Sequence, residues 1–450
     1  MCYVRCMAVA APAERKSNHR RVFQAAATVG VLTSLTKIAA AVKVAVTARY
    51  FGAGDELDAF LIAFLLPGFF VDTVAGTFTP SLVPELIRAR EAGTEHRVAS
   101  TALAMVLGAM LPLTLVLMVA ARWLVPLLGS SFPPGKVDLT VVLLLSMIAW
   151  LPLGACSATW RAVLNAHGRV ALAAVVQMGA PLLAMAFLFL GGARWGVYVL
   201  CAAVLAGSAL EFAVLGFAVR RLGYPLPPRW HGWSGEALAV RGQYLPLLGG
   251  TLIVSGCGLV DQAVAGSLGT GSVSALSYAS KFAAVLIAIG GTGMATAVLP
   301  EFSRLVTLGR WTDLRRALRM HVGVALAVMV PLTLAFIVWS GWVVRVTFQR
   351  GEFGPAEALL VTGIQRYSLL LVPFAVVLFI AQRLATAMSA TGLILRAGVV
   401  AMVVNIAGDF LLPRWLGVSG VALASFIGHA VYLAVLLSLL HAKEPRLFRR

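Results

Sequence analysis

QAAATVGVLTSLTKIAAAVKVAVTARY, residues 24–50, is apolar over a length that can cross a bilayer, yet it carries two lysines, Lys37 and Lys43. A membrane-spanning helix needs about 20 largely apolar residues. A charge inside such a helix costs roughly 3 kcal/mol to insert, so it faces water or a partner rather than lipid. Lys281 poses the same problem in a second apolar stretch, 273–299. Together they predict an all-α membrane bundle with a cationic interior, in which something anionic binds or passes.

Working outward, ten further segments have spanning length: 58–84, 98–121, 139–164, 170–191, 195–219, 243–268, 320–345, 358–386, 394–413 and 418–441. The composition agrees, with 60% hydrophobic and only 12% charged residues in 450, which suits a polytopic membrane protein and not one or two soluble domains. The net charge of +18 would suit nucleic acid, but its placement follows the positive-inside rule instead. With a cytoplasmic N-terminus, 25 Lys and Arg fall in inside segments and 7 in outside segments. The other four of the 36 (Lys37, Lys43, Lys281 and Arg366) fall within spans. Both termini are therefore expected in the cytoplasm, and no nucleic acid partner is expected. The five cysteines are scattered through the chain and read as small hydrophobes, not as a metal site or disulfide framework. Met1 and Met7 are both plausible starts.

The chain also resembles itself. GAGDELDAF (52–60) leading to VPEL (83–86) parallels GTGSVSALSY (269–278) leading to LPEF (299–302). Pro152, Arg161 and Gly168 parallel Pro373, Arg383 and Gly392. The expected organisation is a basic tail (1–22), a six-helix half (23–222), a Pro-rich cytoplasmic linker (223–240), a second six-helix half (241–441) and a short basic tail (442–450). An even number of spans per half makes the duplication parallel, with a site between the halves near the midplane.

Two carboxylates, Asp72 and Asp261, fall mid-span. They read either as counter-charges or a proton or sodium site coupling transport to a gradient, or as carboxylates bonded to neighbouring helices. Asp58, Glu211, Arg366 and Asp409 fall nearer span ends, where anchoring and gating compete. His429 reads as a helix-packing residue. The segment 301–319 reads as a basic amphipathic helix on the cytoplasmic face, suited to anionic lipids. No nucleotide-binding loop, HExxH or supported GxSxG occurs, so no catalytic residue, metal or cofactor is expected. Energy would come from the membrane potential, Na+ or H+.

These stretches carry a family resemblance. ARYFGAG and DAF (48–60), GTFTPSLVPEL (76–86), GSVSALSYASK (271–281), FQRGEFG (348–354), RYSLLLVPF (366–374) and VVNIAGDFLLPRWLGVSGVALA (403–424) are similar to the MurJ/MviN lipid II flippases, within the superfamily of polysaccharide flippases and multidrug exporters. The resemblance implies a V-shaped alternating-access bundle whose cationic cavity holds the pyrophosphate of an undecaprenyl-linked saccharide. Lys37, Lys43 and Lys281 fall on the family's basic positions, and Asp58 on its acidic residue at the outer start of span 2, a gating or coupling position together with Asp72 and Asp261. Three departures stand out. Val71 and Asp72 replace a basic pair, Val44 replaces an acid, and the family's two further spans are not matched.

The resemblance implies a lipid flippase, not an enzyme, in a bacterial inner membrane, with lipid II the first candidate cargo and with cell-wall or polysaccharide synthesis proteins as possible partners. The competing readings are a flippase for an O-antigen or exopolysaccharide unit, a cation-coupled drug exporter, and a non-transporting scaffold.

Overall fold

A computed structural model describes Leu32, residues 35–233 and residues 235–447. The basic N-terminal tail (1–22) with Cys2, Cys6, Met1 and Met7, most of residues 23–34, and the last three residues of the basic C-terminal tail lie outside the described residues. Among the described residues there is no strand. Twelve long helices follow one another: α1 (35–51), α2 (Asp55–Glu91), α3 (Glu95–Leu128), α4 (Pro134–Ala166), α5 (Val170–Trp195), α6 (Tyr198–Arg221), α7 (Gly235–Gly266), α8 (Ser272–Thr307), α9 (Trp311–Val338), α10 (Pro355–Ala387), α11 (Thr391–Leu416) and α12 (Val418–Lys443). Eleven of them, α2 to α12, are long and apolar enough to cross a membrane.

The duplication is visible in the packing. In the first half α2 packs on α4, α4 on α3 and α6, and α5 on α6; in the second half α8 packs on α10, α10 on α9 and α12, and α11 on α12. Contacts between the halves run through α2 with α8, and through α7, which lies against α2 and α3 as well as α8, α11 and α12. The linker ahead of α7 is irregular and pinned to α3. Ser100 Oγ accepts from the Arg229 backbone N–H at 2.8 Å, and Thr101 Oγ1 lies 3.3 Å from His231 Nδ1.

The faces follow the chemistry of a bilayer. Leu111, Leu115, Val119, Trp123 and Leu127 form an exposed stripe along α3, as Val324, Val328, Leu334 and Val338 do along α9. Trp123, Trp195, Trp339, Trp342 and Trp415 are exposed near the end of the bundle that carries Asp58, as expected of an interfacial aromatic belt.

One expectation fails. Residues 301–307 are the last turns of α8, and α9 starts at Trp311 after a turn at Gly309 (φ 64°). No separate surface helix forms, because the apolar pattern of the ninth span runs back through Leu314, Ala317 and Leu318, which are buried against the second half.

Small residues set the helix spacing. A Cβ on Gly420, at the start of α12, would lie 2.6 Å from the Leu412–Pro413 peptide. Gly420→Val therefore overpacks α11 against α12, at about 1–3 kcal/mol or more, and should lower the thermal midpoint of the detergent-purified protein by several degrees. Gly242→Ala, with open space around it and better helix propensity, should leave that midpoint unchanged or raised.

Candidate functional site

One end of the bundle is sealed by a buried carboxylate. Asp58, in the first turn of α2, is fully buried. Its two oxygens accept from the backbone N–H groups of Gly271 at 2.7 Å and Ser274 at 2.8 Å, at the N-terminus of α8 in the other half. The first N–H groups of a helix have no partner within it and carry partial positive charge, so an anion there is held by hydrogen bonds and dipole together. Lys136 of α4, also buried, donates to Asp55 at 2.6 Å and to Asp58 at 3.3 Å, offsetting one of the two negative charges while Asp55 stays open to solvent. Gly271 has φ 78°, and a Cβ on it would sit 2.5 Å from the Ala53 carbonyl oxygen, so glycine alone permits this approach.

The seal is broader than one residue. The Tyr278 hydroxyl donates to the Gly52 carbonyl at 2.9 Å, Ser131 to the Gly266 carbonyl at 2.7 Å, and the Glu352 N–H to the Arg49 carbonyl at 3.0 Å. Tyr278, Phe348 and Phe353 pack with ring centroids 5.1–5.7 Å apart. Three of the motifs singled out in the sequence (52–60, 269–278 and 348–354) therefore converge on one plug.

Beyond the plug the interior is charged and open. Lys37 and Lys281 are exposed and Lys43 is half-buried, although α1 and α8 lie at the junction of the halves. On an ideal helix Lys37 and Lys43 point about 120° apart. They nonetheless share a neighbour, since Lys281 is close enough to feel the charges of both. Asp72 joins the group from α2, within electrostatic reach of Lys37, Lys281 and Arg161. Its position follows from a π turn, Val71–Ala75. Such a turn inserts a residue into the helical register, and here Val71 and Thr73 are buried while Asp72 is exposed. The same turn offers the Val74 carbonyl to the Tyr244 hydroxyl of α7 at 2.9 Å. Further toward the linker end, Glu85 accepts from Gln243 at 2.6 Å and pairs with Arg88 at 2.8 Å.

Asp261 lies elsewhere, within the second half. A cavity of about 480 Å³ opens between α7, α8, α10, α11 and α12, with Asp261, Gln382, Asn405, Ser425 and His429 on its wall. Ser425 donates to one Asp261 oxygen at 2.7 Å, and His429 Nδ1 donates to the Ser425 carbonyl at 2.8 Å. Asp409 is fully buried beside Asp261. The two carboxylates and the Asn405 amide lie within hydrogen-bonding reach of one another, and among the described residues no further donor meets the second Asp261 oxygen or either Asp409 oxygen. Unpartnered buried oxygens are costly, and this set of hard oxygen donors has the chemistry to hold a proton or an alkali cation.

The structure thus joins Lys37, Lys43, Lys281 and Asp72, places Asp58 in the plug, and sets Asp261 apart with Asp409. Sequence reasoning missed three partners. Lys136 and Arg161 were counted among loop cations, and Asp409 was placed near a span end. Lys136 carried a signal, since it starts a helix at the same end as Asp58.

Loss of the Asp58 carboxylate removes two charge-assisted hydrogen bonds, each about 1.5–3 kcal/mol. Asp58→Ala should therefore loosen the plug. With the native cysteines replaced and Ser280→Cys as reporter, labelling by an impermeant maleimide from the Asp58 side should be slow in the parent and at least several-fold faster in Asp58→Ala. Equal rates would mean that the plug does not depend on this residue.

Comparisons with known proteins bear on the family and the fold. The family model described as "Lipid II flippase MurJ" matches residues 47–448. A "Probable lipid II flippase MurJ" of Vibrio cholerae serotype O1 is 24% identical over 440 residues, covering 94% of this chain and 83% of that protein. One of Rhizobium tropici is 26% identical, covering 91% and 80%. Among solved structures, "Lipid II flippase MurJ, inward closed conformation" superposes with a TM-score of 0.80 at 20% identity, covering 92% of this chain and 87% of that one. An inward-facing multidrug resistance MATE family transporter of the MOP superfamily superposes at 0.78 with 16% identity, covering 92% and 95%, and both likenesses speak to the fold alone. With the family model spanning nearly the whole chain, this protein belongs to the MurJ lipid II flippase family.

Proposed function

We propose that this chain carries a lipid-linked diphosphate saccharide, lipid II first among them, from the inner to the outer leaflet of the bacterial cytoplasmic membrane. The observation that carries the reading is the convergence of Lys37, Lys43 and Lys281 around one accessible interior region closed off at the Asp58 end. A diphosphate is a concentrated anion, and lysines shielded from bulk water attract it more strongly than surface lysines do. The cationic interior suits an anionic headgroup better than a cationic drug. The charge census supports placing the Asp58 end outside and both termini in the cytoplasm.

In this reading the headgroup enters from the cytoplasmic side while the plug is shut. Release requires the α8 N-terminus to leave Asp58 and the halves to part there. An inside-negative potential favours outward movement of the phosphate charge, by about 2.3 kcal/mol per charge per 100 mV. The oxygen cluster of Asp261, Asn405, Asp409 and Ser425 would bind the coupling ion, Na+ or H+, and so bias the second half between its states.

Complementation tests the transport reading. In bacteria depleted of their lipid II flippase, the unaltered chain should restore growth, whereas Lys43→Ala and Lys281→Ala, inserted at equal levels, should not. Failure of the unaltered chain despite good insertion would remove lipid II as cargo, and full rescue by both variants would remove the lysine site.

The coupling reading has its own readout. Saturating Na+ should raise the thermal midpoint of the purified protein, by mass action on the folded state, and Asp261→Asn should abolish that rise. A rise of equal size in the variant would place the ion elsewhere, and a midpoint that follows pH and not Na+ would identify the proton.

A further inference from the structure

Arg161 is an interior cation that the transport reading leaves without a role. It sits on α4, five residues before the helix ends at Ala166, and meets Glu211 of α6 at 3.1 Å. Both side chains are 19% exposed, so neither is locked into the core. The Glu211 oxygen it approaches makes no hydrogen bond among the described residues. The pair is therefore a charge contact and not the two-pronged fork that an arginine forms with a well-matched carboxylate. Arg161 keeps most of its five N–H donors free.

The packing aims this arginine at the cavity. Positions 154, 158 and 161 lie on one face of α4, and that face lies on α2. A Cβ on Gly154 would touch the Val71 side chain at 2.8 Å, and the Ala158 carbonyl accepts from Thr79 at 2.9 Å. The π turn between those two contacts presents Asp72. Arg161, Lys37 and Lys281 all lie within electrostatic reach of Asp72. The charged groups around Asp72 are thus Arg161 from α4, Lys37 from α1 and Lys281 from α8, with Lys43 behind Lys281 and Glu211 behind Arg161.

We propose that Arg161 is a phosphate-binding residue of this cavity, held by Glu211 and Asp72 while the cavity is empty and turned to the diphosphate of the cargo when it enters. The inference rests on the reading that a lipid diphosphate is carried. Lysines supply attraction without geometric selection, whereas a guanidinium matches two phosphate oxygens at once. With the lysines on one phosphate, the Arg161 fork takes two oxygens of the other, and that second phosphate is what a monophosphate lacks. The charges fit this role. Four cations (Lys37, Lys43, Lys281 and Arg161) against two carboxylates (Asp72 and Glu211) leave two positive charges, which match the two ionised oxygens of a diphosphate diester. Asp72 occupies the place of one phosphate until the cargo arrives.

The test is equilibrium binding of undecaprenyl diphosphate and of undecaprenyl monophosphate to the purified full-length protein in nanodiscs. Arg161→Ala alone would strand Glu211, so the informative variant is Arg161→Gln with Glu211→Gln, which removes the pair together, beside Arg161→Lys, Asp72→Asn and Lys281→Ala. The double variant and Arg161→Lys should each lose about tenfold or more in diphosphate affinity and change much less for the monophosphate. Asp72→Asn should bind both more tightly. If the double variant binds diphosphate as the parent does while Lys281→Ala loses it, Arg161 is only a partner for Glu211 and the inference falls, with the transport reading intact. If the parent itself prefers neither ligand, the transport reading falls, and the inference with it.

Discussion

Among the described residues that join the two halves, the Asp58 carboxylate is the one charge buried at the junction and held by backbone N–H groups of the other half. Asp58 reaches from the first turn of its own helix to satisfy N-terminal N–H groups of α8 in the other half. A buried carboxylate is tolerated only when its hydrogen bonds and charge are both answered, and Lys136 and two backbone amides answer them here. Much of the plug follows. Gly271 must adopt a left-handed conformation to bring its N–H in, the Ala53 carbonyl must come close, and Tyr278 is then positioned to reach Gly52. With that end shut, the charged interior can be reached only from elsewhere.

The interior divides its chemistry between two places. Cations meet where α1, α2, α4 and α8 come together, and a cluster of neutral and acidic oxygens is enclosed within the second half alone. The parallel duplication gives both halves the same helix packing, but only one holds an oxygen cluster of this kind. The other half carries the part-exposed pair of Arg161 and Glu211 between α4 and α6. The cations thus gather at the junction, from both halves, while the oxygen cluster lies within the second half.

Much of this could be read from the sequence because bilayer physics is unforgiving. Lysines in apolar runs, a biased loop charge and a repeated glycine–acid–proline pattern left few alternatives for the fold, and they singled out Lys37, Lys43 and Lys281, whereas Asp58 stood out only through the family resemblance. What could not be read depended on register. Nothing in FFVDTVAG (69–76) announces a π turn, and without it Asp72 could not be assigned to the cavity instead of a helix seam. Arg161 and Asp409 were misplaced for a related reason. Charge counting treats a residue near the end of an apolar run as interfacial, whereas α4 extends to Ala166 and α11 to Leu416. The expected surface helix at 301–319 failed because α8 is longer than its apolar run.

The length of α8 has a consequence of its own. Ser274, held by Asp58, and Lys281, in the charged interior, stand seven residues apart on one unbroken helix, about 10 Å along a stiff rod. Asp58 and Asp72 stand fourteen residues apart on α2, the counterpart of α8 in the other half, with the π turn at Val71–Ala75 setting the second of them. Latch and grip are therefore built on the same two levers, and the levers cannot be prised apart at one end without changing the span between their charges. Opening the door and loosening the hold become one movement, so the carrier needs no separate signal to let its cargo go.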